Sequence, residues 1–379
     1  MSATLPEIPI PSDLLPTDGR FCCGPSKVRP EAVAALAAEA GTYLGTSHRQ
    51  AGVRFMVARL RNGLAELLAL PDGYEVLLGN GGTTALWDAL SFGVIDQRSH
   101  HLVFGEFSGK FAEVTRAAPH LSEPSTARAE PGTAPALAAV DGVDAYCLTH
   151  NETSTGVATD LVRPDGAEDE SLVLVDATSA AGGLMFDPVQ TDVYYLAPQK
   201  CLASDGGLWL AACSPAAVAR IDRLAASDRW VPASLDMGIA LENSRKDQTY
   251  NTPALATIFL AVQQVEWLNE NGGLPWAARR CATNAAAVYG WADASEDATP
   301  FVTDPDLRSQ VVATIDLVDD IDATTVAGVL RANGVQDTES YRKLGRNQLR
   351  FALFPAIEPD DVAALTRCVD HVVAELRSA

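Results

Sequence analysis

Residues 171–200 read SLVLVDATSAAGGLMFDPVQTDVYYLAPQK. Two short apolar runs stand out in this stretch, SLVLVDAT (171–178) and DVYYLAP (192–198). Runs with so few polar residues predict strands buried on both faces. EVLLG (75–79), HLVFG (101–105), DAYCLTH (144–150) and GLWLAAC (207–213) are further strand candidates. Between them lie helix-like segments. GNGGTTALWDAL reads as a glycine turn opening a helix, and another helix is expected from about Gly109. The biased segment 119–135, PHLSEPSTARAEPGTAP, reads as a surface connection. Buried strands alternating with helices predict an α/β fold, a mainly parallel sheet with helices on both faces. Ligands bind such sheets at the carboxyl ends of the strands.

After about residue 255 the texture changes. Long helical patterns at 254–270 and 276–291 lead into SQVVATIDL (309–317) as a strand and DATTVAGVLRANG (322–334) as a helix. NQLRFALF (347–354) is another strand, and 358–379 a terminal helix opened by Glu358-Pro359-Asp360-Asp361. This predicts a separate, smaller α+β C-terminal domain. The division expected is an N-terminal arm at 1–20, a large domain at 21–256 and a small domain at 257–379.

The chain has 379 residues, enough for two domains and a core that needs no staples. Its 28 lysines and arginines against 49 aspartates and glutamates give a net charge of −21. That argues against nucleic-acid and anionic-membrane partners, while a local arginine cluster can still hold a small anion. No run of about 18 apolar residues and no signal-peptide pattern is present, so a cytoplasmic protein is expected. Seven scattered cysteines without a CxxC, and six histidines without an HExxH, predict neither disulfides nor a metal site.

Three features carry chemistry. Gly81-Gly82-Thr83-Thr84 lies between a strand and a helix, where free amides and two hydroxyls make a phosphate cradle, although it is neither a Walker A loop nor GxGxxG. Asp176 ends a buried strand and faces the ligand crevice. Lys200 follows a strand and precedes the flexible Ser204-Asp205-Gly206-Gly207. A lysine buried there has a depressed pKa and acts as an amine nucleophile. Alone, each also reads as an ordinary turn, cap or loop residue. Together, a phosphate turn, a strand-end aspartate and a lysine 24 positions later match the layout of pyridoxal-phosphate enzymes.

The chain resembles the phosphoserine aminotransferase family of the fold-type I aminotransferases along nearly its whole length. The motifs that carry the resemblance are Gly24-Pro25-Ser26, Ser47-His48-Arg49, His150-Asn151-Glu152-Thr153-Ser154-Thr155-Gly156, Ala197-Pro198-Gln199-Lys200 and Tyr250-Asn251-Thr252-Pro253, in the family's order. The resemblance implies an aspartate-aminotransferase-like large domain with a seven-stranded-type sheet. It also implies pyridoxal 5'-phosphate as cofactor and a homodimer with shared active sites. By it, Thr83, Thr84 and Gln199 hold the cofactor phosphate, Phe107 stacks on the ring where the family commonly has tryptophan, and Thr153 bonds the phenolic oxygen. Asp176 pairs with the ring nitrogen and Lys200 is the Schiff-base lysine. Asn251 and Thr252 reach the phosphate of the other subunit. Arg350 takes the substrate α-carboxylate, and His48 and Arg49 take its phosphate or side-chain carboxylate.

The activity so implied is the exchange of an amino group between L-glutamate and 3-phosphonooxypyruvate, a ping-pong step of serine biosynthesis. The chain departs from the family after Ser47-His48-Arg49, at Thr83-Thr84 and at Tyr341-Arg342-Lys343-Leu344-Gly345-Arg346. Arg54, Arg342, Lys343 and Arg346 are open candidates for completing the phosphate site. Three alternatives are another amino-acid pair of the serine–glyoxylate type, a cysteine desulfurase, and a non-catalytic binding protein that keeps the scaffold. The second needs a mobile nucleophilic cysteine, whereas Cys368 lies in the apolar period of the last helix.

Overall fold

The structure is a computed structural model that describes residues 5–378. Its strands are β1 (Glu75–Asn80), β2 (Ser99–Val103), β3 (Ser125–Arg128), β4 (Ala145–Thr149), β5 (Asn151–Glu152), β6 (Val157–Ala158), β7 (Leu172–Asp176), β8 (Val193–Leu196), β9 (Leu208–Cys213), β10 (Ala298–Pro300), β11 (Val312–Leu317) and β12 (Gln348–Ala352). Its helices are α1 (Pro30–Tyr43), α2 (Ala51–Leu67), α3 (Gly82–Gly93), α4 (Glu106–Ala117), α5 (Pro215–Ala225), α6 (Met237–Ser244), α7 (Leu255–Glu270), α8 (Gly273–Ala294), α9 (Ala323–Ala332) and α10 (Pro359–Ser378).

The large sheet has seven strands in the order β1-β9-β8-β7-β4-β2-β3. Six run parallel to one another, and β9 alone is reversed, pairing antiparallel with β8 and β1. Period two decides which side chains enter which layer. In β7, Val173 and Val175 pack among residues of α2 and α7, whereas Leu172 and Leu174 pack on the opposite face beside residues of α3 and α5. The same alternation splits β8, with Tyr194 in the first layer and Tyr195 in the second. Both faces are covered, which is why these strands read as unbroken apolar runs.

The C-terminal elements form a three-stranded antiparallel sheet, β10-β11-β12. Their core is continuous with the α2/α7 layer of the large sheet, so Val312, Phe351 and Val369 belong to the same apolar cluster as Val173. The N-terminal segment packs on these C-terminal elements. Ile10 N–H donates to Asn333 Oδ1 at 2.9 Å, Thr17 N–H to Asp361 Oδ1 at 2.7 Å, and Arg20 bridges to Gln336.

Two expectations are corrected. The segment 119–135 is not merely a connection: Ser125–Arg128 forms β3, paired in parallel with β2 at the sheet edge. Its four residues are polar or small, three half-buried and Arg128 exposed, so no apolar run announces them. Helix α4 begins at Glu106, ahead of Gly109, because its first amides find acceptors from outside the helix. Among the described residues no helix is long and apolar enough to cross a membrane, and no cluster of His, Cys, Asp or Glu could hold a metal ion.

Candidate active site

The strand ends that the alternation aligns open on one cavity of about 250 Å³. β1 delivers Gly81 and the start of α3. β2 leads to Phe107 in the first turn of α4, and β4 to Thr153. β7 ends in Asp176, and the loop after β8 carries Gln199 and Lys200. Seven of the residues singled out in the sequence therefore line one wall system: Thr83, Thr84, Phe107, Thr153, Asp176, Gln199 and Lys200.

Asp176 is 6% exposed, and its Oδ1 accepts from Thr178 N at 2.9 Å. Burial pushes its carboxyl up to about 6, the Glu152 charge adds to this, and the hydrogen bonds from Thr178 oppose it. Burial likewise lowers Lys200 from the ordinary lysine value. The Cys23 thiol opposes that shift, and the Arg350 guanidinium reinforces it. The Lys200 ammonium donates to the Cys23 carbonyl oxygen.

The Gly24-Pro25-Ser26 motif braces this lysine across 174 positions of sequence. Ser26 N–H donates to Gln199 O at 2.9 Å, and Ser26 Oγ to Lys200 O at 2.6 Å. Gly24 has φ +146°, and a Cβ there would stand 2.0 Å from Lys200 Nζ. Only glycine leaves the amine its place.

At the start of α3, Gly81 and Gly82 adopt left-handed conformations that turn the chain into the helix. The Thr83 and Thr178 hydroxyls share a hydrogen bond at 2.8 Å. The first amides of α3 have no partner within the helix and open on the cavity, an anion site by geometry. On another wall, Ser179 Oγ accepts from Thr153 Oγ1 and from Asn151 Nδ2, each at 2.8 Å. Gln199 Oε1, Asn151 Oδ1 and Arg350 Nε are buried without a partner. Orphaned polar atoms of this kind fit a polar ligand with donors and acceptors on its rim.

Arg350, on β12, lies just outside the cavity lining. Its Nη1 donates to Thr153 O at 3.1 Å, and its guanidinium lies 5.4 Å from the centroid of the Tyr341 ring. Tyr341 in turn packs on Phe107, ring centroids 5.9 Å apart. The remaining four residues are not brought to Lys200. His48, Arg49, Asn251 and Thr252 form a second, outer cluster. Arg49 Nη1 donates to Gln248 Oε1 at 2.8 Å, Thr252 Oγ1 lies 3.3 Å from His48 Nδ1, and Asn80 Nδ2 donates to Thr252 O at 3.1 Å.

Of the open basic candidates, Lys343 pairs with Glu106 and Arg346 with Asp316. Arg54 donates to Lys246 O at 3.0 Å, and Arg342 is exposed. Cys368 is buried and its thiol donates to Leu14 O at 3.2 Å, so it is a packed helix residue rather than a mobile nucleophile. Two residues of the site gave no chemical signal in the sequence. Ser179 shows only as part of an ordinary turn, and Glu152, 0% exposed, shows only as a loop acid.

This architecture places the protein in the aspartate-aminotransferase-like, fold-type I class of α/β proteins. A solved phosphoserine aminotransferase from Cytophaga hutchinsonii superposes with a TM-score of 0.85 at 23% identity, covering 93% of this chain and 99% of that one. The chain is 59% identical over 368 residues to the phosphoserine aminotransferase of a Nocardioides species, covering 97% of this chain and 98% of that protein. It is 60% identical over 367 residues to a Mycolicibacterium vanbaalenii protein given the same name with a provisional qualifier, with the same coverage. No family model matches the chain. At that identity over nearly its full length, the chain belongs to the phosphoserine aminotransferase family.

The Asp176 environment makes a prediction for the apoprotein. A carboxyl raised from 3.8 to about 6 keeps its proton longer in the folded than in the unfolded state. Stability is then lost as pH rises through that window, by ~3 kcal/mol above it. Asp176→Asn should flatten this slope and leave the apoprotein more stable than wild type at pH 8. Denaturant titrations of the apoproteins from pH 4 to pH 8 measure it. Parallel curves for the two proteins would mean that Asp176 is not held against its ionised form.

Proposed function

We propose that the protein is a pyridoxal-phosphate-dependent phosphoserine transaminase. It would interconvert L-glutamate plus 3-phosphonooxypyruvate and 2-oxoglutarate plus O-phospho-L-serine. The observation that carries this reading is the convergence of Lys200, Asp176 and the α3 amide cradle on one cavity in a chain of this family. Pyridoxal phosphate, when bound, supplies an electron sink that makes the α-proton of an amino acid removable.

The chain's own residues do the rest. The α3 amides, Thr83, Thr84 and Gln199 hold the phosphate. Asp176, ionised at neutral pH, accepts the ring N–H and keeps that nitrogen cationic. Its burial strengthens this pairing, because few water molecules compete. Phe107 would cover one ring face, and the Thr153 hydroxyl would turn from Ser179 Oγ to donate to the phenolic oxygen. Lys200, its ammonium disfavoured by burial, would hold the cofactor carbonyl through Nζ, and its free amine would accept and return a proton at that nitrogen. Arg350 keeps Nε free while Nη1 is tethered to Thr153 O, and it takes the substrate α-carboxylate.

The outer cluster supports the second half of the reading. His48, Arg49, Asn251 and Thr252 are gathered together yet stay away from the cavity of their own chain. In a homodimer they serve the site of a second copy, with His48 and Arg49 reading the distal phosphate or γ-carboxylate and Asn251 and Thr252 the cofactor phosphate. A site that takes both dianions favours this pair of substrates over the serine–glyoxylate type. The unpaired thiols of all seven cysteines suit a reducing cytoplasm.

Two experiments test the reading. Borohydride reduction of the holoprotein should fix the cofactor to the Lys200 peptide. Lys200→Ala should lose both that adduct and turnover, the latter by about 10²–10⁴-fold or more. An adduct elsewhere, or near-normal turnover, would refute the role of Lys200. For the shared site, Arg49→Ala and Lys200→Ala homodimers should each be crippled. Their co-expressed mixture should recover about a quarter of wild-type activity, because each hybrid rebuilds one complete site. No recovery on mixing would show that each chain completes its own site.

A further inference from the structure

Glu152 is a fully buried carboxylate whose partners are all turn or helix groups. Its Oε2 accepts from Phe107 N at 3.1 Å, Ser108 N at 2.9 Å and Ser108 Oγ at 2.9 Å, all in the first turn of α4. Its Oε1 accepts from Ser154 N at 3.2 Å and Ser154 Oγ at 2.7 Å. Ser154 Oγ accepts in turn from Glu106 N at 3.0 Å. The approach is close, since a Cβ on Gly105 would lie 2.3 Å from Glu152 Cγ.

A helix start needs acceptors, but a local serine or aspartate supplies them in most proteins. Here the acceptor comes from the neighbouring β4–β7 connection, directly beside Thr153. A negative charge at a helix N-terminus also gains from the helix dipole, which makes its burial tolerable. The result is a rigid strut between two walls of the cavity, one carrying Phe107 and the other Thr153.

We propose that Glu152 is a positioning residue for the cofactor, which sets the Phe107 ring and the Thr153 hydroxyl at a fixed separation. The inference rests on the cofactor reading above and adds to it a residue that touches neither cofactor nor substrate. Ring stacking is sensitive to offset and tilt, so a strut that fixes the α4 start acts directly on affinity.

The test is a double-mutant cycle read as the dissociation constant of pyridoxal phosphate from the apoprotein, by spectroscopic titration. Glu152→Gln keeps the shape but turns one acceptor oxygen into an NH₂ that cannot accept from α4 or Ser154. It should weaken binding about tenfold. In a Phe107→Ala background the same change should cost less than about twofold, because the ring it positions is gone. Should Glu152→Gln fail to fold, Ser108→Ala, which leaves the carboxylate and removes one donor, is carried through the same cycle with a loss of about threefold expected. Unchanged affinity with a lowered Tm would overturn the proposal and leave Glu152 a helix cap only. Equal losses in both backgrounds would overturn the route through Phe107. Wild-type protein that does not bind pyridoxal phosphate would overturn the cofactor reading itself, an outcome visible before any variant is made.

Discussion

A carboxylate at the buried end of a strand has few ways to be stable, and Asp176 is placed at the end of β7, flanked by β4 and β8. Its surroundings supply hydrogen bonds from Thr178, and its charge favours the Lys200 ammonium on the same cavity. Burial still disfavours the ionised carboxyl, so a positively charged partner beside it would stabilise the site. The pyridine nitrogen of the proposed cofactor is such a partner, and the start of α3, Phe107, Thr153 and Lys200 line the same cavity as Asp176.

Charge distribution explains how a chain of net charge −21 handles anionic substrates. The general field repels anions, so recognition depends on a few guanidinium groups held in fixed places. Arg350 is held by Thr153 and the Tyr341 ring, and Arg49 by Gln248. The first lies just outside the cavity of its own chain, tied to the lining residue Thr153. The second lies in the outer cluster, and the proposed division of labour between copies rests on that separation.

The legible parts of the fold were those where burial on both faces removes polar residues. β7, β8 and β9 read directly as strands because each is wholly buried. β3 did not, because an edge strand of four residues, none of them fully buried, leaves no apolar trace. In the site, Asp176 and Lys200 were legible from strand ends and spacing. The assignments of His48, Arg49, Asn251 and Thr252 came from family resemblance alone, since nothing local marks an exposed cluster as half of a site. Glu152 and Gly24 were beyond reach for a different reason. The role of each depends on contacts with a distant segment that their family motifs do not reveal, the first turn of α4 for Glu152 and Lys200 Nζ for Gly24.

The central claim is that this pocket carries out one half of an amino-group exchange with a phosphorylated amino acid. The most direct measurement mixes holoprotein with O-phospho-L-serine in the absence of any keto acid, following the cofactor absorbance and the keto acid released. The account predicts that the cofactor converts to its amine form with release of about one equivalent of phosphorylated keto acid per chain, and then stops. A spectrum indifferent to O-phospho-L-serine but responsive to an unphosphorylated amino acid would contradict the assigned substrate.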